Sequence, residues 1–402
     1  MRVHGSSKQR DLYFTHARHL DLRTAVITNH NRRGRVSTRQ TTTRTSGRHE
    51  GATPTPFVTR PAQSQVIRHP HRDRQPTQTR QTGRHHNSSS NDIGRYIPER
   101  FTNGNGELYF RTNKQLGEGG FSVCYLVEDE EGLSMAGKFF TRKAPSSRKR
   151  LERFEREVNL MKHLNHPNIV KFYDAISGVK DGRRFSEFQR TEHVSYQHPP
   201  VMFIEYCAGT SLSSFLKNRA RYQHTLGRYG TMSEDETRWV AHCVCKALDY
   251  LMEKRILHRD IKLGNLLLQQ PVSPTDSIVD AGIVLCDFGL ATQLKDNELL
   301  AYGTAGTPYY IAREVVLHDG ACFASDIWSL GVTLFYCLTG RAPFNSQSRS
   351  TSGIYRKIRR MEYRWKSHER ESISSEMRHL VESMIEKNPA DRPKPNQLLK
   401  MM

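Results

Sequence analysis

The sequence predicts an α+β fold: a β-rich part over about 108–207 and a larger, mainly helical part over about 208–402. Three observations carry that expectation. Strand-length apolar runs crowd into the first stretch, among them Leu108–Phe110, Met135–Phe140 and Val201–Cys207. From Leu212 onward apolar residues recur mainly at helical spacing, as Trp239, Val240, Cys243, Val244, Ala247, Leu248 and Leu251 do within Glu234–Lys254. Composition also breaks near residue 95. Residues 1–90 hold 17 Lys+Arg against 4 Asp+Glu, so the remaining 312 residues carry only +7 of the net +20.

Residues 1–95 are rich in Arg, Thr, Ser, Gln, His and Asn and poor in apolar side chains. Such a segment buries too little surface to offset its ordering entropy, so a basic, disordered tail is expected there. Its charge suits an anionic partner, such as nucleic acid, microtubules or a membrane surface, through counterion release. Its composition is also similar to an organellar transit peptide, against which Asp11 and Asp21 weigh. There is no 18-residue apolar run, so no membrane span is expected, and the N-terminus lacks the apolar core of a secretory signal. The seven cysteines all lie beyond residue 95 and form no C-x-x-C pair, which fits free thiols in a reducing compartment. An intracellular location, cytoplasm or nucleus, is the expectation.

The folded domain, 100–402, is expected to open near Arg100, with Leu108–Phe110 as the first strand edge. Lys114–Val127 reads as strand, Gly-rich turn, strand, and includes Leu116, Gly117, Glu118, Gly119, Gly120, Phe121, Ser122 and Cys124. Glycines let the backbone pass close over phosphates and present N–H groups to them. Alone, the turn is an ordinary hairpin, since Ser122 stands where a G-x-G-x-x-G pattern has its third Gly; between strands it reads as a nucleotide lid. In the next strand Ala136 and Lys138 share a face. Small Ala136 leaves room for a flat base, and Lys138 reaches the phosphates. Within the helical stretch Ser147–Leu164, Glu157 falls on the inward face with Phe154 and Met161. A buried carboxylate needs a cation, and Lys138 is the candidate. Glu152 and Glu155 fall on other faces, toward water.

Residues 177–199 read as a polar, basic surface loop before the buried strand and connector Val201–Cys207. Leu266–Leu268 reads as a strand, 269–281 as another loop with Pro271 and Pro274, and Phe323–Leu338 as an apolar helix. Asn388–Pro393 precedes a last helix.

The chemistry concentrates in His258-Arg259-Asp260-Ile261-Lys262-Leu263-Gly264-Asn265 and Asp287-Phe288-Gly289, with Asp287 placed 22 positions after Asn265. Asp260 can take a proton from a hydroxyl nucleophile. Asn265 and Asp287 can hold a divalent metal on a polyphosphate, and Lys262 can neutralise a moving phosphoryl group. Phosphoryl transfer asks for little else, being mostly positioning and electrostatic stabilisation.

H-R-D-x-K-x-x-N followed by D-F-G resembles the eukaryotic protein kinases. Residues 108–402 look like a complete bilobal protein-kinase fold. Its lid from Leu116 to Cys124, Ala136-Gly137-Lys138, His258–Leu266 and Asp287–Thr292 most resemble the Polo-like kinases. The resemblance implies a Ser/Thr protein kinase using ATP and Mg2+ on protein Ser/Thr substrates. It implies catalytic roles for Lys138, Glu157, Asp260, Lys262 and Asn265, and metal-holding roles for Asn265 and Asp287. It places Cys124 over the adenine, Ile204 as gatekeeper, Glu205 and Cys207 at the adenine edge, and Leu267 as the floor where that group has Phe. It further implies that Thr307 bonds Asp260 and Lys262, and that Glu314 pairs with Arg392.

Several departures stand out. Gly303 occupies the family's activating Thr position, with Thr304 beside it as the candidate phosphosite facing Arg259. Ala312-Arg313-Glu314 replaces A-P-E. No second domain is expected after Met402, and so no polo boxes. Two rival readings are a pseudokinase scaffold, against which the intact set Lys138, Glu157, Asp260, Asn265 and Asp287 argues, and a nucleic-acid-binding protein carried by the tail.

Overall fold

The computed structural model describes residues 97–103, 105–120, 122–140, 147–177, 199–223, 230–346 and 350–402. The basic tail 1–95, Phe121 and most of the 177–199 loop lie outside the described residues.

The first lobe is a six-stranded antiparallel sheet. Its strands are β1 (Arg100–Thr102), β2 (Leu108–Glu118), β3 (Ser122–Asp129), β4 (Ser134–Phe140), β5 (Phe172–Ile176) and β6 (Val201–Glu205), in the spatial order β1-β2-β3-β4-β6-β5. Helix α1 (Ser147–Met161) lies between β4 and β5 in the chain. Its Phe154 meets Phe140 of β4 edge to face, with ring centres 5.2 Å apart. Glu157, 3% exposed, sits on that inward face as the periodicity required. Glu155 is half-buried rather than turned to water, and burial raises its carboxyl, with Glu152 adding to the effect.

The sheet has a second apolar face, and it places the first strand at Arg100–Thr102, ahead of the expected edge at Leu108. Leu108 opens the second strand, not the first. β1 pairs antiparallel with β2, Phe101 opposite Tyr109. Phe101 stacks on Tyr109 and Phe203 at 6.0 and 5.9 Å and meets Phe139 edge-on at 5.8 Å. Removing that ring is worth about 3–5 kcal/mol by the cost of large core truncations. A chain starting at residue 96 is therefore expected to melt like the full-length protein, whereas one starting at 104 loses β1 and melts at a clearly lower temperature. Thermal denaturation of the two truncations checks this, and equal midpoints would remove β1 from the core.

The second lobe holds α2 (Leu212–Tyr222), α3 (Glu234–Glu253), the short strands β7 (Ile256–Leu257), β8 (Leu266–Leu268), β9 (Ile283–Leu285) and β10 (Thr292–Gln293), then α4 (Arg313–Val316), α5 (Phe323–Thr339), α6 (Thr351–Arg360), α7 (Ser367–Ser372), α8 (Ser375–Met384) and α9 (Pro395–Met401). β7 pairs with β10 and β8 with β9. α5 is apolar on nearly all sides because it is buried on nearly all sides. α3 starts with a capping box from Ser233 and Glu236. Glu236 also receives a two-pronged contact from Arg219 of α2, at 2.7 and 2.9 Å. Arg219 donates further to the Pro274 carbonyl, and Glu236 accepts the Ile278 N–H, so this pair ties the 269–281 loop to both helices. Across the lobe, Glu314 and Arg392 form a double contact at 2.8 Å each, both buried. No helix among the described residues is long and apolar enough to cross a membrane.

Candidate active site

Sheet register brings the first set of side chains together. Cys124 pairs with Lys138 across β3 and β4, Lys138 with Met202, and Ala136 with Ile204 across β4 and β6. Cross-strand partners share a face, so Cys124, Ala136, Lys138 and Ile204 line the same inner side. Gly117, Glu118, Gly119 and Gly120 are exposed at the β2–β3 turn, while Leu116 and Ser122 are half-buried. The Gly119 N–H closes that turn on the Ser122 carbonyl at 2.8 Å.

Lys138 Nζ reaches Glu157 Oε1 at 2.6 Å and Asp287 Oδ1 at 2.8 Å. Burial alone would lower the Lys138 ammonium; Glu157 and Asp287 outweigh it and hold the ammonium above its usual value. Burial raises the Glu157 carboxyl, and Lys138 together with the Phe288 N–H works against that. Asp287 is drawn down to about 2, first by the Lys138 charge, with burial opposing. It is a carboxylate at every physiological pH. Its backbone lies in the left-handed region, φ 65°, a conformation with a cost that recurs at functional positions.

Asp260 is 6% exposed and surrounded by donors. Its Oδ1 accepts the Thr307 N–H at 3.1 Å and the Thr307 hydroxyl at 2.8 Å. Its Oδ2 accepts Lys262 Nζ at 2.5 Å and Asn265 Nδ2 at 3.1 Å. Lys262 also donates to the Thr307 hydroxyl at 3.1 Å. The loop is clamped from beneath. Asp326 accepts the His258 and Arg259 N–H groups at 2.8 and 2.9 Å, and His258 bridges the Asp260 N–H at Nδ1 and the Cys286 carbonyl at Nε2. His258 also meets the Phe288 ring edge-on at 4.9 Å. With an N–H pointing at Nδ1, this imidazole supports the loop and has no free nitrogen for proton transfer.

Arg259, expected to face a phosphosite at Thr304, meets neutral acceptors of the neighbouring backbone and a hydroxyl. Its guanidinium donates to the Gly303 carbonyl at 2.6 Å, the Tyr302 carbonyl at 3.5 Å and the Thr292 hydroxyl at 3.2 Å. Gly303 has φ 93° and Gly306 φ 110°, left-handed values that glycine adopts without steric penalty. A side chain at 306 would come within 2.7 Å of the Arg259 carbonyl. Thr304 makes one long contact, 3.5 Å, to His318 Nδ1.

At the strand-to-helix connector the Glu205 N–H is spent on the Lys171 carbonyl at 2.8 Å, which leaves only its carbonyl for a ligand. The Glu205 carboxylate takes Gln269 at 2.6 Å and so links the connector to the second lobe, a contact with no sequence signal. Leu267 of β8 is half-buried and packs against the main core cluster. Cys286, passed over in the sequence reading, is half-buried beside Asp287; its position directly before the D-F-G motif was the available clue. Burial raises the Cys124 and Cys207 thiols to about 11 and about 12 and also holds Cys286 well above its usual value, so all three stay protonated.

The donor set tests whether a metal fits. Among the described residues no group of three or more His, Cys, Asp and Glu side chains could hold an ion unaided. Asp287 and Asn265 supply two hard oxygens, and Asn265 commits its Nδ2 to the Asp260 carbonyl and carboxylate, leaving Oδ1 as the acceptor. Two oxygens suit Mg2+, which keeps waters and takes phosphate oxygens for the rest of its shell. The residues fit that ion.

The protein kinase domain model matches residues 110–402. The chain is 31% identical over 280 residues to the cell cycle serine/threonine-protein kinase CDC5/MSD2 of Saccharomyces cerevisiae, covering 69% of this chain and 34% of that protein. It is 30% identical over 304 residues to the serine/threonine-protein kinase polo of Drosophila melanogaster, covering 75% and 45%. To the serine/threonine-protein kinase PLK4 of Xenopus tropicalis it is 31% identical over 284 residues, covering 70% and 26%. The aligned region spans less than half the length of each of these relatives.

Proposed function

Because the chain belongs to the protein kinase family, we propose that it transfers the γ-phosphoryl group of ATP to Ser and Thr hydroxyls of proteins, as a Polo-like kinase. The observation that carries this reading is the double contact of Lys138 with Glu157 and Asp287. It joins the sheet, helix α1 and the D-F-G motif in one charged cluster, an arrangement a binding-only scaffold has no chemical need to keep.

The roles follow from the partners. Lys138, fixed by Glu157, holds the phosphates, and the backbone from Gly117 to Ser122 covers them. Asp287 and Asn265 would hold Mg2+, which when bound offsets charge on the phosphate oxygens. Asp260 orients the acceptor hydroxyl and takes its proton. Lys262, 25% exposed at its side chain, stabilises the transferring group. Thr307 shapes the acceptor side by holding Asp260 and Lys262 together, which supports Ser and Thr over Tyr as acceptors. Ala136 and Leu267 bracket the base, with the Glu205 carbonyl and Cys207 at its edge. A radiolabelled-ATP assay on Ser, Thr and Tyr peptides, with Asp287→Asn as control, tests the reading. Incorporation into Ser or Thr peptides that the control lacks is expected; label in neither, or equally in both proteins, overturns it.

Since the Gly303 carbonyl already takes the Arg259 guanidinium, Thr304→Ala is expected to leave turnover unchanged. Gly303→Ala instead forces an L-residue into the left-handed region, at about 1–2 kcal/mol, and lowers turnover. Steady-state kinetics of the two variants, with mass spectrometry of the segment, separate these outcomes; a large loss in Thr304→Ala restores phosphate control.

A further inference from the structure

We propose that the outer surface of α6 and the cavity beside it form a docking site for an acidic segment of the protein substrate, separate from the phosphoacceptor site. The proposal rests on the kinase reading above and names how that site would select its substrates.

Helix α6 carries Arg356, Lys357, Arg359 and Arg360 and no acidic residue. It is pinned by buried Gly353, Ile354 and Ile358, so its cations stand on a fixed base. Arg356, Arg359 and Arg360 are exposed, and Lys357 is half-buried. Beside the helix is a cavity of about 450 Å³, where Arg341, Lys357, Arg364 and Lys366 converge with Tyr363 and a single carboxylate, Glu362.

The charges there are unequally compensated. Arg341 is satisfied by Glu369, with contacts of 2.7 and 2.6 Å, and Glu369 also accepts the Lys366 N–H. Glu362 leans toward Arg360 at 3.5 Å on the exposed rim. Among the described residues Lys357 and Arg364 are bonded to no carboxylate. A solvated basic face is the ordinary fate of such residues. Here, however, the cations meet in a concavity, and Lys357 is partly withdrawn from water without an anion to offset the cost.

The cavity is also coupled to the acceptor side of the lobe. Arg313, which opens α4 directly after the segment bearing Thr307, donates from Nε to the Arg359 carbonyl at 3.0 Å. The residue that replaces the Pro of A-P-E therefore ties the end of that segment to the end of α6. Charge complementarity selects an Asp- and Glu-bearing peptide. The chain's own N-terminal segment, at +13 over residues 1–90, carries the wrong sign to occupy it.

The test uses the full chain and two peptides with one acceptor sequence, the second extended by an Asp/Glu-rich tail. In Lys357→Glu/Arg364→Glu the KM of the extended peptide is expected to rise about tenfold, from charge reversal worth roughly 1.4 kcal/mol, with kcat unchanged. The short neutral peptide keeps both constants. Lys357→Gln/Arg364→Gln gives a smaller rise of the same kind, which guards against a folding defect in the charge-reversed pair. The N-terminal basic segment is common to all proteins and cancels. Equal changes for the two peptides, or none, overturn the docking site. So does a labelled oligonucleotide whose affinity falls in the variants while the extended peptide's KM does not. If wild type phosphorylates neither peptide, the kinase reading has failed, and fluorescence anisotropy of the labelled acidic peptide with the same variants still decides the docking site.

Discussion

Asp287→Asn is expected to remove phosphotransfer almost completely while leaving the melting temperature near that of the wild type. The substitution keeps the Lys138–Glu157 contact, so the charged cluster stays paired. What it loses is a carboxylate that the Lys138 charge holds ionised at about 2, the oxygen ligand the proposed reaction needs. Losing one electrostatic group of this kind costs about 2–4 kcal/mol of barrier, roughly two to three orders of magnitude in rate. Lys138→Met is expected to lose as much turnover but also stability, because it strands Glu157, 3% exposed, without its cation. A buried carboxyl with a raised pKa favours the folded state at acid pH and penalises it as pH rises through that value, so the deficit of this variant grows from acid to neutral. Single-turnover rates with radiolabelled ATP and melting curves at two pH values check both. Wild-type turnover in either purified variant contradicts the site assignment.

Arg392→Met is expected to be the most destabilising single change away from the site, at about 3–5 kcal/mol, because it leaves Glu314 buried and unpaired. Burial would raise the Glu314 carboxyl, but Arg392 and the Ser325 hydroxyl more than reverse it, so the group lies below its usual value. That contribution is present above the ordinary carboxylate range and fades as pH falls. Glu314→Leu together with Arg392→Met is expected to recover most of the loss, since an apolar pair of similar volume needs no compensation. Urea unfolding of the single and double variants measures it, and an additive double variant rejects the pairing argument.

The groups proposed to react were legible because the chemistry proposed for them fixes their spacing. Asp260, Lys262 and Asn265 lie within six consecutive residues, and Glu157 declared itself by lying at helical intervals from Phe154 and Met161. Other features depend on distant partners and left no local trace. β1 is three residues long, too short for periodicity, and Phe101 matters through rings it meets elsewhere in the chain, Tyr109, Phe139 and Phe203. The Glu205–Gln269 link is likewise made by chain closure. The Arg259 contact could not be read locally because backbone conformation decides it: a glycine at φ 93° turns its carbonyl to the guanidinium, and the one-letter code names the glycine without its angle.

The 269–281 loop looks from its prolines like an expendable surface addition. Arg219 and Glu236 make it something else. Arg219 holds the Pro274 carbonyl, Glu236 holds the Ile278 N–H, and these two residues also hold each other between α2 and α3. Pulling the loop away exposes a buried ion pair and strips Glu236 of the Ile278 N–H and Arg219 of the Pro274 carbonyl at the same time. Its opening free energy is therefore close to that of the helices it touches. The part of the segment held at Pro274 and Ile278 is expected to be released with the lobe, not ahead of it.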